Sequence, residues 1–177
     1  NLARLHKAGI KGVRTVSGDA CELDEVLTSF DAMLGERVKF DTVFIDAPCS
    51  GTGTMRRHPE IPWRLSENDV TTELPKLQLT MLKEAAARVA AGGELIYATC
   101  SVFDEENTQV VDAFLASPEG ESFFVEPLSE AQILQPPEFE QAKKLVSVRQ
   151  NDRGLFQSVP TNADSYDGHF CARLVRK

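Results

Sequence analysis

Apolar and polar positions alternate in blocks whose periods switch between helix and strand along the chain. Leu2, Leu5 and Ile10 lie on an N-terminal helical stretch that stops at Gly9 or Gly12. VRTVSGDA reads as a short strand ending in a turn, and apolar residues at 23, 26, 27, 30 and 34 take helical spacing. FDTVFIDAP follows, its compact Val43-Phe44-Ile45 run being the pattern of a strand covered on both faces. Ser66-x-x-Asp69 caps a helix whose apolar stripe runs through Leu74, Leu77, Met81, Leu82, Ala85 and Val89, with Gly92-Gly93 ending it. ELIYATCS is a strand, and Ser101-x-x-Asp104 opens an amphipathic helix with Val110, Val111, Phe114 and Leu115 inward. Residues 117–143, rich in Pro and acid, read as a loop with little fixed structure. KLVSV, LFQSV and HFCARLV are late strands, the last two joined across PTNADSYDG as an antiparallel edge hairpin. Strand and helix alternating with short links predict an α/β chain built on a parallel sheet with right-handed crossovers.

The length, 177 residues with 42% hydrophobic content, suits one domain with a real core. No apolar run approaches the roughly 20 residues of a membrane span, and no apolar leader precedes a cleavage site. The net charge of −8 speaks against a polyanionic partner until its distribution is considered. Residues 104–140 hold ten acidic side chains and no Lys or Arg, so the other 140 residues sum to +2. Such an acidic run is ordinarily a solvated face, and nucleic acid is not excluded. Cys21, Cys49, Cys100 and Cys171 form no CxxC pair and no zinc-spaced cluster, so no metal site is expected. Free thiols in a reducing cytoplasm are the expectation.

Ligands of open α/β sheets collect at the carboxyl ends of the strands. Three segments lie there: Asp19, the Asp46-Ala-Pro-Cys49-Ser-Gly run, and Thr99-Cys100-Ser101. Cys100 stands where a strand meets a helix N-terminus, whose dipole favours thiolate, with Asp104, Glu105 and Glu106 opposing. On neighbouring strand ends Cys49 and Cys100 face one crevice, although each alone reads equally as a small core residue. Asp19 and Asp46 read equally as turn or cap residues. Gly51-Thr52-Gly53 fails as a dinucleotide loop, because Arg56 occupies the position of its third glycine. Arg56, Arg57, His58 and Arg64 form a basic group beside the crevice, suited to RNA phosphates or to a plain solvated loop. Trp63 reads either as a base-stacking side chain or as packing that anchors this loop, packing being the ordinary role of a lone Trp.

FDTVFIDAPCSGTGTMRRHPEIPW followed by GGELIYATCSVFDEEN closely resembles the Nol/Nop/Sun group of S-adenosylmethionine-dependent RNA (cytosine-5)-methyltransferases. The RRHPEI extension is most similar to the group's bacterial Sun/Fmu branch, which modifies small-subunit (16S) ribosomal RNA. DGHFCARLVRK resembles the closing strand of the family, where Phe often stands in place of His169. The resemblance implies a Rossmann-like methyltransferase fold with Cys100 as nucleophile and Cys49 as the thiol that permits product release. It places Asp46 where cofactor and base meet, and Asp19 near the cofactor's adenine. It further implies that the first strands, the cofactor's glycine-rich loop and an upstream RNA-binding domain are absent from residues 1–177. A truncated catalytic domain of this kind is expected to bind S-adenosylmethionine weakly or not at all, to be inactive alone, and to dimerise through an exposed sheet edge. Two alternatives stand beside it: a non-catalytic α/β interaction module with an acidic surface, and a cysteine hydrolase using Cys49 and His58.

Overall fold

The computed structural model describes residues 2–161 and 166–177, which fall into two compact units, 1–38 and 39–177. The first unit contains α1 (Leu2–Lys7) and α2 (Leu23–Leu34), which stops at Gly35 in the left-handed conformation, φ 74°. Between them VRTVSGDA is not a strand: Val13 and Val16 are exposed, and no described strand pairs with the segment. A strand needs a neighbour's backbone, and here the chain packs on a helix instead, a Cβ on Gly18 falling 2.2 Å from the Val26 side chain. Asp19 caps the short turn Ala20–Glu22, accepting from the Cys21 N–H at 2.8 Å.

The second unit contains β1 (Phe40–Asp46), α3 (Leu74–Ala86), β2 (Val89–Thr99), α4 (Thr108–Leu115), β3 (Phe123–Glu126), α5 (Glu140–Arg149), β4 (Phe156–Ser158) and β5 (His169–Arg176). The sheet order is β1-β2-β5-β3, and β4 also pairs with β5, along the edge that β3 uses further on. Only β1 and β2 are parallel; every pairing with β5 is antiparallel. The sheet is therefore mixed, and the expected parallel core reduces to one pair. The late hairpin is present as β4 and β5, with residues 162–165 of its turn outside the described residues.

One face of this sheet is the core. Leu95, Tyr97, Phe170, Ala172 and Leu174 are at most 1% exposed there, under Leu82 of α3 and Val111 and Phe114 of α4. Phe114 meets Phe123 edge-on at 5.5 Å, a geometry the ring quadrupoles favour. The other face is only partly covered: Phe44 is 63% exposed, so β1 is not buried on both sides as its apolar run suggested. That face is braced by Arg173, paired with Glu94 and Glu126 at 2.6 Å each.

Four further expectations are corrected. Gly92-Gly93 does not end α3, which stops at Ala86; the pair lies inside β2, where three extra residues bulge between the Phe40–Val89 and Thr42–Glu94 pairings. Leu77 is 37% exposed and Gln78 takes the inward position, 0% exposed. Residues 117–143 carry β3 and three short turns of helix rather than a featureless loop. KLVSV lies within α5, since β5 already has β2 on one edge and β3 with β4 on the other, leaving no edge for another strand. Among the described residues no helix is long and apolar enough to cross a membrane. The outer edge of β1 meets no described strand.

Candidate active site

The parallel pairing of β1 and β2 ends both strands at one level, Asp46 opposite Ala98, and the two thiol loops leave the sheet side by side. An Ala47 N–H bond to the Ala98 carbonyl, 2.9 Å, carries the pairing one step further. Pro48 then restricts the backbone into the turn, and Gly51 takes φ 72°. Gly53 is wedged between loops: its N–H donates to the Cys100 carbonyl and its carbonyl accepts from Gly168 N–H, both at 2.8 Å. A Cβ on Gly53 would fall 2.1 Å from the Gly168 oxygen, so no other residue fits.

This stitching brings Cys49 and Cys100, 51 positions apart, to 3.4 Å between sulfurs, and both are half-buried. The pair shares a proton unequally. The Cys100 thiol is pushed down to about 6, first by the hydrogen bond from Cys49, then by the charge of His169 and its own backbone N–H, while burial and the Asp46 carboxylate oppose. The Cys49 thiol is pushed far up, by the same bond and by burial. Cys100 is thus the thiolate and Cys49 the thiol that donates to it. The helix N-terminus expected to do this is only a short turn at Asp104–Glu106, and Ser101 turns inward instead of capping it.

His169 owes its place to register. Thr99 pairs with Phe170 across the antiparallel β2 and β5 strands, so the next pair along is Cys100 with His169. Asp46 is exposed at the end of β1 and raises Cys100 through its charge. Opposite shifts follow for single substitutions. In pH profiles of Cys100 alkylation, His169→Phe is expected to move the midpoint up by removing a cation, and Asp46→Asn to move it down by removing an anion.

The basic group is arranged differently from the expectation. Arg57 is committed to Asp167, its Nε 2.7 Å from the carboxylate, and Arg56 lies 3.9 Å from the same group. That pairing holds the Asp167 carboxyl below its usual range. Arg57 therefore ties the thiol loop to the entrance of β5, and a phosphate there would have to compete with Asp167. His58 sits 3.4 Å from Glu60, and Arg64 is exposed. Trp63 does not anchor the loop: it is 89% exposed and free to stack on a flat partner. A groove of about 370 Å³ lies beside the loop, with Thr52, Met55, Pro62 and Phe103 in its wall. Cys21 lies in the first unit, half-buried; Cys171, half-buried on β5, is pushed up to about 12 by burial. Among the described residues no group of three His, Cys, Asp or Glu side chains could hold a metal ion.

Sequence reasoning missed the buried polar side chains beneath the loops. Asn107, 0% exposed, accepts from Thr99 at 2.6 Å and donates to the Ser101 carbonyl at 3.0 Å, bracketing Cys100 on both sides. Glu106, also 0% exposed, lies under both loops, and Gln78, 0% exposed, lies under the Cys49 loop. An acidic residue inside an acidic run carries no sequence signal of burial.

Residues 1–175 match the family described as "16S rRNA methyltransferase RsmB/F". Ribosomal RNA small subunit methyltransferase B of Escherichia coli O6:K15:H31 is 35% identical over 139 residues, 78% of this chain and 27% of the relative. The protein of the same name from Salmonella arizonae is 45% identical over 86 residues, 49% of this chain and 20% of its own length. The chain thus spans about a quarter or less of the curated relatives it matches. Among solved structures, that of PH0851 superposes with a TM-score of 0.72 at 30% identity, covering 98% of this chain and 33% of the other. The fold is also that of NSun6 from Pyrococcus horikoshii, solved with SFG, with a TM-score of 0.68 at 22% identity over 99% of this chain and 37% of the other. The match over residues 1–175 shows that this chain belongs to the 16S rRNA methyltransferase RsmB/F family.

Proposed function

We propose that the chain is the C-terminal part of the catalytic domain of an S-adenosylmethionine-dependent RNA (cytosine-5)-methyltransferase acting on small-subunit ribosomal RNA. The observation that carries this reading is the 3.4 Å sulfur pair with the proton on Cys49 and the charge on Cys100. Carbon 5 of cytosine is a poor nucleophile, and a thiolate added at carbon 6 overcomes this. The Cys100 sulfur bonds to carbon 6, the carbon 5–carbon 6 π electrons shift to carbon 5, and Asp46 accepts a hydrogen bond from the exocyclic amine or protonated ring nitrogen. Carbon 5 is then methylated. With Cys100 now a neutral thioether, the hydrogen bond and charge that hold Cys49 protonated are gone. Cys49 gives its proton to solvent and takes the one from carbon 5; those electrons restore the double bond and expel Cys100 as thiolate.

The residues present fit S-adenosylmethionine in part. Asp46, exposed at its strand end, is an acceptor suited to amine and hydroxyl donors. Gly53, the second glycine after β1, is occupied by packing against Gly168 and offers the ligand's carboxylate no open cradle. The bound cofactor supplies an electrophilic methyl group. In this reading the cradle and an RNA-binding domain belong to sequence outside residues 1–177, so this chain alone binds the cofactor weakly and is inactive. Arg56, His58 and Arg64, with exposed Trp63, form the RNA-facing rim, where arginine meets phosphate and indole meets an unstacked base, while Arg57 stays on Asp167 and holds the loop that carries them.

The hydrolase alternative has no support, because Cys49 is held protonated and His58 pairs with Glu60. A non-catalytic module has no use for a thiolate beside a thiol. Incubating the full-length protein with methyl-labelled S-adenosylmethionine and small-subunit ribosomal RNA should place the label in 5-methylcytidine after nuclease digestion. Label on another nucleoside, or none, would contradict the proposal.

A further inference from the structure

Beneath the two thiol loops lies a carboxylate that the reaction above does not use. Glu106 is 0% exposed, and everything facing its oxygens is a donor. Oε2 accepts from the Ser50 N–H at 2.8 Å and from Gln78 Nε2 at 3.1 Å; Oε1 accepts from Ser101 Oγ at 2.8 Å. Its backbone carbonyl accepts from the Tyr97 hydroxyl at 2.6 Å, anchoring it to β2. Gln78 in turn donates to the Pro48 carbonyl at 3.0 Å. Pro48 and Ser50 flank Cys49, and Ser101 follows Cys100. One side chain therefore holds both loops.

We infer that Glu106 is a positioning residue that sets the separation of the two thiols, with Gln78 as its brace on the Cys49 side. The inference rests on the two-thiol reading of the site. Its physical basis is span. A carboxylate offers two separate acceptors, here one for each loop, and burial makes each lost bond costly because the stranded donor cannot reach water. Asn107 acts on the Cys100 loop alone, whereas Glu106 is bonded to the two loops at once.

Span and charge are separable by substitution. Glu106→Gln keeps the reach: its oxygen faces Ser50 and Gln78, and its amide faces Ser101 Oγ, whose hydrogen turns to Ser50 Oγ or Thr52 Oγ1, 3.1 and 3.3 Å away. Glu106→Asp keeps the charge and, one methylene shorter, cannot reach both loops.

The test is diamide cross-linking in the full-length protein with Cys21 and Cys171 changed to Ser. The Cys49 and Cys100 thiols lose two electrons and two protons to diamide, which becomes the hydrazine, and one S–S bond forms. Peptide mass spectrometry reads the rate, and circular dichroism and melting confirm the fold. The parent should cross-link readily, Glu106→Gln within about threefold of it, and Glu106→Asp about tenfold more slowly, the factors being scaled to one buried hydrogen bond. Ser101→Ala, a small change that severs the Cys100-side bond alone, should also slow the reaction, and it decides the matter if Glu106→Asp does not fold. Rates equal to the parent in the folded variants, or Glu106→Asp fast with Glu106→Gln slow, would overturn the inference. A parent that fails to cross-link would overturn the thiol pairing itself and the inference with it. No RNA or methyl donor is involved, so the expected ordering in a protein without methyl transfer would refute the proposed function and leave Glu106 in its role.

Discussion

Replacing Cys100 with Ala is expected to abolish covalent capture of RNA that carries 5-fluorocytosine, and to lower methyl transfer by roughly 10⁴-fold or more. With its thiol pushed down to about 6, Cys100 is mostly thiolate at neutral pH and needs no separate base before it attacks. Fluorine at carbon 5 cannot leave as a cation, so the adduct formed by addition and methylation has no route to elimination and persists through denaturing electrophoresis. Cys100→Ala has no sulfur to add, while Cys49→Ala retains it. Adduct formation by the full-length Cys100→Ala protein at the parental level would remove the nucleophile from the proposed mechanism. Adduct that depends on Cys49 instead would reverse the roles of the pair.

The second large effect is expected for Cys49→Ala with ordinary RNA. Addition and methylation proceed, but the group that accepts the carbon 5 proton is gone, so protein should accumulate bound to RNA that parental protein releases. The substitution acts twice. The hydrogen bond from Cys49 is the first cause of the low Cys100 value, so the Cys100 midpoint should also rise toward that of a free cysteine, about 8.5, and by more than His169→Phe moves it. Slow addition and slower release together predict less product per unit time and more RNA held per molecule. Gel electrophoresis under denaturing conditions, with and without reversal by excess time, measures the second quantity. A Cys49→Ala protein that turns over at the parental rate would make Cys49 dispensable.

Much of this site is legible in the sequence because its chemistry sits in short contiguous runs. DAPCSGTG and ATCS each end a strand, and strand ends in α/β sheets are where side chains converge, so the meeting of Cys49 and Cys100 follows from the pattern once the strands are neighbours. The electrostatics are less legible. Local sequence offers Cys100 a helix N-terminus, whereas the structure lowers its value through a residue 51 positions away and through His169 on an antiparallel strand. Glu106 was hidden for a related reason: in Asp104-Glu105-Glu106 composition alone describes a solvated face, and only tertiary donors identify the one carboxylate that turns inward. Gln78 was hidden by its neighbour, since Leu77 satisfies the apolar stripe on paper while the amide occupies the interior.

The fold was misread where tertiary partners decide. VRTVSGDA and KLVSV both have β-branched content suited to strands, yet one has no described strand beside it and the other precedes a strand, β5, both of whose edges are already filled. Gly92-Gly93 looks like a helix stop and is a strand bulge, because the parallel register between β1 and β2 has three residues to absorb. Trp63 looks like an anchor and is almost wholly in solvent.

The two sulfurs share one proton across a contact of 3.4 Å, with the charge on Cys100. The most direct measurement of that sharing is the rate of iodoacetamide alkylation at Cys100 in the unmodified protein, followed by peptide mass spectrometry from pH 4.5 to 9.5. A midpoint near 6 is expected for Cys100, with Cys49 unreactive in every molecule whose Cys100 is not yet alkylated. An ordinary midpoint of about 8.5 at Cys100, or Cys49 reacting first, would contradict it.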